Sequence, residues 1–345
     1  MGDELEHDIR ARQVAMAVPN EPRATQLFMK RTYQGIIPEN RPRPTLNNNE
    51  LKIAHKHESV SFCVDSNSKA AISSHLVRVF AQNPCEALRP FVKRFLVVEF
   101  PAAHKDSYLP ITGMLAGFCF KGHCILDGKT KVPIAAVTGL SDRARHYEHS
   151  GNSGVVLAAF TAPGAAALLR HPVDEFFNDA VALDDILGNS SELNRIHQRL
   201  AEAPNHARRI QAVEDFLVAR VGDAQPDSFV SAAVSKIEEL QGILCVEELA
   251  RRVGLSQSAL ERRFRKVTGA SPKKFASIVR LRHVVRLRAR GADLTSIAFA
   301  AGYCDQSHFI NDFKQITGFA PKFFFQRMAV SKNAEFLQVG EVWRS

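Results

Sequence analysis

A chain of 345 residues with 45% hydrophobic content and no apolar run of membrane-spanning length is long enough for two domains with real cores and gives no sign of a membrane helix. The formal net charge is +9, and the N-terminus, MGDELEHDIRARQ, is charged and lacks the apolar stretch of a signal peptide; a cytoplasmic location is expected. Six cysteines (Cys63, Cys85, Cys119, Cys124, Cys245, Cys304) are scattered, which suits reduced thiols and not a disulfide framework.

Residues 1–76 include NEPRATQ, PENRPRPTLNNNE and SNSKAAISS, with no sustained period of 2 or 3.6. This composition is expected to form a poorly ordered extension. From Val77 the texture changes. FLVVEF (95–100), YLPITGMLAGFCF (108–120), HCILDG (123–128), VPIAAVTGL (132–140) and SGVVLAAFTAP (153–163) are short apolar or alternating runs cut by Gly, Pro and Asp-Gly. Such runs read as strands joined by turns, in a small barrel or sandwich.

After Pro163 the pattern turns helical. In HARRIQAVEDFLVARVG, Ile210, Val213, Phe216, Leu217 and Val221 form one stripe, and Leu193, Ile196 and Leu200 repeat the spacing upstream. Amphipathic helices of this kind either cover the strands or join two subunits as a homodimer. The domain is bounded at 77–222, and 223–231, overlapping QPDSFVSAAV (225–234), is expected to be a linker.

Residues 241–330 hold 16 Lys and Arg against 6 Asp and Glu, so the positive charge belongs to this region. A compact basic segment is the footprint of a nucleic-acid binder, because each neutralised phosphate releases counterions. The same region repeats itself. GLSQSALERRFRKVTGASPKKF (254–275) and GYCDQSHFINDFKQITGFAPKFF (302–324) align with Gly254 on Gly302 at an offset of 48, and with Leu260 on Phe309, Phe264 on Phe313, Gly269 on Gly318 and Pro272 on Pro321 at 49. One extra residue therefore lies in the second turn.

Each copy reads as a helix ending at a glycine suited to a left-handed turn, followed by a capped second helix. Val246, Leu249, Ala250 and Val253 lead to Gly254 and then Ser256; Leu294, Ile297, Ala298 and Ala301 lead to Gly302 and then Asp305. These are two helix-turn-helix motifs, whose second helices are built to enter a major groove. Between them FASIVRLRHVVRLRARG is expected to form one long helix that fixes their separation. Two recognition helices on one rigid chain can then enter successive grooves of double-stranded DNA without a partner subunit.

LARRVGLSQSALERRFRKVTGASPKKF and IAFAAGYCDQSHFINDFKQITGFAPKFF resemble the double helix-turn-helix domain of the AraC/XylS transcriptional regulators, over about residues 232–328, with 329–345 a tail. More loosely, the preceding domain is similar to the cupin-like sensory domains with trailing helices found in that family, chiefly through FTAPGAAALLRHPVDEFFNDAVALDDILG. The resemblance implies an α+β chain: an N-terminal cupin-like β-barrel and a C-terminal all-α DNA-binding domain. It further implies base-facing residues Gln257, Ser258, Glu261 and Arg262 in the first recognition helix, and Gln306, Ser307, His308 and Asn311 in the second. Arg262 would pair with a guanine, Gln306 with an adenine, and Glu261 would accept from a cytosine amine. Arg263, Arg265, Lys266, Lys273, Lys314 and Lys322 are read as phosphate contacts, which position without specifying. Asn311 stands where many members carry Arg, and Asp312 beside it adds a negative charge. Contact with RNA polymerase is a further family expectation.

Other constellations are weaker. His104, His123, His146 and His149 lack the spacing of a compact metal set, and Cys119 and Cys124 suit inert thiols better than a redox pair. No nucleophile-elbow, zinc-protease or P-loop motif occurs, so neither an enzyme nor a cofactor is expected. Three readings follow: a regulator answering to a small-molecule or protein effector, a constitutive DNA binder whose first domain only dimerises, and an enzyme that uses DNA for location.

Overall fold

The structure, a computed structural model, describes residues 77–330; the expected extension over 1–76 and most of the tail lie outside them. Ten strands form two antiparallel sheets. They are β1 (Arg78–Gln82), β2 (Val92–Phe100), β3 (His104–Tyr108), β4 (Leu115–Lys121), β5 (Cys124–Leu126), β6 (Thr130–Lys131), β7 (Ala135–Thr138), β8 (Arg145–His149), β9 (Ser153–Phe160) and β10 (Ala180–Ala182). The six-stranded sheet runs β1-β2-β9-β4-β7-β10 and the four-stranded sheet β3-β8-β5-β6. The strand-rich domain is thus two open sheets and not a closed barrel.

The expected apolar runs supply β2, β4, β5, β7 and β9. β3 and β8, by contrast, are HKDSY and RHYEH, and their pairing rests on cross-strand contacts such as Lys105 with Glu148 at 2.7 Å and Tyr108 edge-on to Tyr147. The Asp-Gly signal is a tight turn: Asp127 and Gly128 have φ of 50° and 69°, and Lys129 N–H donates to Leu126 O. Positive φ at both central residues of this turn matches the twist of the flanking strands, and the pairing of Leu126 with Thr130 leaves three residues in the loop.

Helices α1 (Gly164–Leu169), α2 (Leu183–Leu187), α3 (Ser190–Glu202) and α4 (His206–Val218) follow. The three-residue β10 lies between α1 and α2, where a purely helical run is expected; its register against β7 accounts for it. Ile196, Leu200, Ile210, Val213, Phe216 and Leu217 are buried in one core with Phe95, Val97, Phe118, Val137, Val156 and Ala158 of the large sheet. The Phe216 ring meets Phe118 edge-on at 5.7 Å. The two stripes therefore cover the sheet, and each fully buried large side chain contributes roughly 1.5–3 kcal/mol.

The C-terminal part holds α5 (Ser228–Glu239), α6 (Val246–Arg252), α7 (Gln257–Thr268), α8 (Pro272–Ala289), α9 (Leu294–Ala300), α10 (Gln306–Thr317) and α11 (Pro321–Val330). α5 begins inside the expected linker, because Asp227 accepts from Val230 N–H as a cap and Val230, Ala233, Val234 and Ile237 are buried at helical spacing. Two cores result. α5 to α8 enclose Leu249, Leu260, Phe264 and Phe275, and α8 to α11 enclose Leu281, Val284, Ile297, Phe309, Phe313 and Phe324. α8 is shared by both, so it sets their spacing. Among the described residues no helix is long and apolar enough to cross a membrane.

Candidate nucleic-acid interface

The two motifs are superposable in their bonding. Gly254 and Gly302 have φ of 73° and 71°, and the next residue in each turn closes it: Leu255 N–H donates to Ala250 O at 3.0 Å, and Tyr303 N–H to Ala298 O at 3.1 Å. Ser256 then accepts from Ala259 N–H, and Asp305 from His308 N–H. Tyr303 pairs with Leu255 at 48 and Asp305 with Ser256 at 49; the inserted residue is Cys304, which is exposed. An extra residue is tolerated there because it lengthens a solvated turn and leaves both helices in phase.

The far ends match as well. Thr268 Oγ1 donates to Phe264 O at 2.9 Å and accepts from Ala270 N–H; Thr317 Oγ1 donates to Phe313 O at 2.8 Å and accepts from Phe319 N–H. Gly269 and Gly318 cap the helices at φ of 87° and 80°, as left-handed C-terminal residues do.

Between cap and terminus, α7 presents Gln257, Ser258, Arg262, Arg265 and Lys266 to solvent, and α10 presents Gln306, Ser307, His308, Asn311 and Lys314. Lys273 and Lys322 are exposed at the starts of α8 and α11. Glu261 is half-buried and accepts from Gln257 Nε2 at 2.8 Å, so two of the side chains expected to face bases are joined one turn apart. Arg263 points elsewhere. It is ion-paired to Asp227 and its guanidinium lies 4.6 Å from the Phe229 ring centre, which ties α7 to α5.

Asp312 is also accounted for. Its carboxylate accepts from Tyr303 Oη at 2.7 Å and lies 3.6 Å from Arg280 Nη2, whose guanidinium covers the Tyr303 ring. Burial pushes the Tyr303 phenol well above its ordinary value, with Asp312 adding to the shift. The negative charge beside Asn311 is thus held inward, against α8. His308 meets Tyr303 edge-on at 5.2 Å.

The strand-rich domain seats on both motifs. Val173 N–H donates to Lys266 O at 2.9 Å and Ala144 N–H to Ile316 O at 2.7 Å, at the C-terminal ends of the two recognition helices. Lys274 lies 2.9 Å from Asp142, and Arg282 Nη1 donates to Thr112 Oγ1 at 3.1 Å. Burial raises the Asp142 carboxyl, but bonds from Lys274 and Asn178 outweigh it and hold the group below its usual range. Leu140 and Ala162 enter the core of the first motif. No periodicity in the sequence signals these contacts, since they join residues as far apart as Ala144 and Ile316.

The histidines and thiols of the first domain form no centre. His104 and His149 are opposite each other across β3 and β8, and His149 stacks on Phe100 at 3.7 Å. Burial, with His104 nearby, pushes His149 down to about 4. Burial lifts the Cys119 thiol and takes Cys124 to about 12, leaving both protonated at neutral pH. His146 bonds Ser107 through Nδ1, and His123 is exposed. Among the described residues no three His, Cys, Asp or Glu side chains are placed to hold a metal ion.

A helix-turn-helix domain family matches residues 249–327, the span of both motifs. The matched region is 34% identical over 82 residues to the HTH-type transcriptional activator RhaS of Klebsiella pneumoniae (strain 342), covering 23% of this chain and 29% of that protein. The chain matches 29% and 37% of the length of its curated relatives. Among solved structures, apo ToxT from Vibrio cholerae covers 70% of this chain and 98% of its own, at 15% identity and a TM-score of 0.37. The AraC-like transcriptional activator CuxR is 15% identical, covers 63% of this chain and 89% of its own, and has a TM-score of 0.23.

Proposed function

We propose that this chain is a cytoplasmic, sequence-specific transcriptional regulator that inserts α7 and α10 into successive major grooves of double-stranded DNA. The observation that carries this reading is the duplication itself: two motifs with the same turn, cap and terminal bonds, each exposing polar side chains at the N-terminal end of its second helix. Arg262 and Gln306 read bases, while Arg265, Lys266 and Lys314 hold phosphates.

The strand-rich domain is the sensory part. Its contacts at Lys266 and Ile316 support a mechanism in which an effector binding residues 77–222 alters how firmly the two recognition helices are held. Such a ligand acts only through different affinities for the two arrangements. RNA polymerase is the downstream partner. A binding titration of specific and random duplex at fixed salt tests the reading; equal affinity for both would refute sequence-specific recognition.

A further inference from the structure

The basic residues of α8 are not all accounted for by DNA-reading helices or by the domain contact. His283, Arg286, Leu287 and Arg290 lie along one side of its C-terminal half and, with Gln241, line an open cleft of about 380 Å³. Two guanidinium groups and an imidazole converge there, and none of the lining residues is acidic. Arg286 bonds Gln241 through Nη2, which pins it to the α5–α6 turn, and Arg290 is exposed.

The turn places this cleft between the two motifs. Gln241 and Gly242 have positive φ, and a Cβ on Gly242 would stand 2.2 Å from Ala276 O of α8; the turn is therefore seated on the shared helix. Its next residue, Ile243, reaches Gly302 of the second motif, where an added Cβ would come within 2.8 Å of Ile243 Cγ2. Gly302 lies just before Gln306, at the reading end of α10. The turn that lines the cleft therefore adjoins the turn that leads into α10.

We propose that the Gln241–His283–Arg286–Arg290 cleft is a phosphate-binding site that grips the DNA backbone between the two recognition helices. The inference rests on the DNA-binding reading above. A guanidinium suits a phosphate because its N–H donors match two oxygens at once, and such a contact adds affinity with no sequence information.

The test uses the full chain and Arg290→Gln, an exposed site whose substitution leaves the fold intact, beside Lys266→Ala as a phosphate-contact control. Affinity for specific and random duplex is measured from 50 to 200 mM salt. Loss of one phosphate contact lowers the steepness of log K against log salt by about 0.9; Arg290→Gln is expected to do this and to weaken both duplexes equally, about 3- to 10-fold. The His283 ring resonance, followed by NMR, is expected to move when duplex binds. An unchanged slope in Arg290→Gln while Lys266→Ala lowers it overturns the cleft and leaves the regulator reading standing. A His283 resonance that moves with inorganic phosphate but not with duplex also overturns it, marking a site for small phosphates. Wild-type protein that binds no duplex overturns both.

Discussion

The backbone N–H of Ala144, in the loop before β8, donates to the carbonyl of Ile316 in the last turn of α10. With its counterpart from Val173 to Lys266, it makes the strand-rich domain touch both recognition helices at once. The side-chain lock beside these bonds is Lys274 with Asp142. Because the folded Asp142 carboxyl is held low, its contribution is present above the ordinary carboxylate range and fades as pH falls through the lowered value. Asp142→Asn should cost no more than about 1 kcal/mol, since both groups are partly solvated. Hydrogen exchange at the Ala144 and Val173 amides should nevertheless quicken selectively; unchanged protection there would mean that the ion pair does not hold the domains together.

His149 adds an acid sensitivity of the same sign at higher pH. Its folded value of about 4 lies below the unfolded value near 6.5, so the unfolded chain takes up the proton first. Stability should therefore decline as pH drops below about 6.5 and level off near the folded value, by about 3 kcal/mol. His149→Phe keeps a ring against Phe100 and should flatten the melting temperature between pH 7 and 4. A wild-type profile already flat over that interval would contradict the burial of a neutral imidazole.

The paired threonines make a symmetrical prediction. Thr268→Val and Thr317→Val each remove a buried hydroxyl and leave the N–H of Ala270 or Phe319 without it. Each should cost about 1–3 kcal/mol in chemical denaturation. Thr→Ser at either position should recover most of the loss. Values that differ widely between the two sites would show that the motifs are alike in sequence but not in how their helix ends are held.

Three arginine and lysine variants separate the roles on α7. Arg262→Ala should cost about 1–3 kcal/mol on a specific site and relax discrimination, whereas Lys266→Ala should weaken all DNA alike. Arg263→Ala should lower thermal stability through its lost contacts with Asp227 and Phe229 and leave the salt slope unchanged. A reduced slope in Arg263→Ala would return that residue to the backbone-contact set.

What the sequence makes legible here is local. Gly254 and Gly302, the caps Ser256 and Asp305, and the buried stripes of α7 and α10 all arise from chemistry within a few residues, and the offset of 48 against 49 locates the inserted Cys304 to within a turn. Arg263 and Asp312 were not legible as structural groups, because their partners Asp227 and Tyr303 come from other helices or across a turn. β3 and β8 carried no apolar signal, and whether ten strands divide into two sheets depends on registers that alternation does not encode. The seating of the first domain on both motifs involves backbone N–H groups of Ala144 and Val173, which any residue but proline supplies.

The central claim, one rigid chain reading two grooves, is tested most directly by selecting bound fragments from random duplex with the purified protein at near-physiological salt. An enriched site with two conserved blocks about one helical turn apart is expected, the first disrupted by Arg262→Ala and the second by Gln306→Ala. A single enriched block, or none, would contradict it.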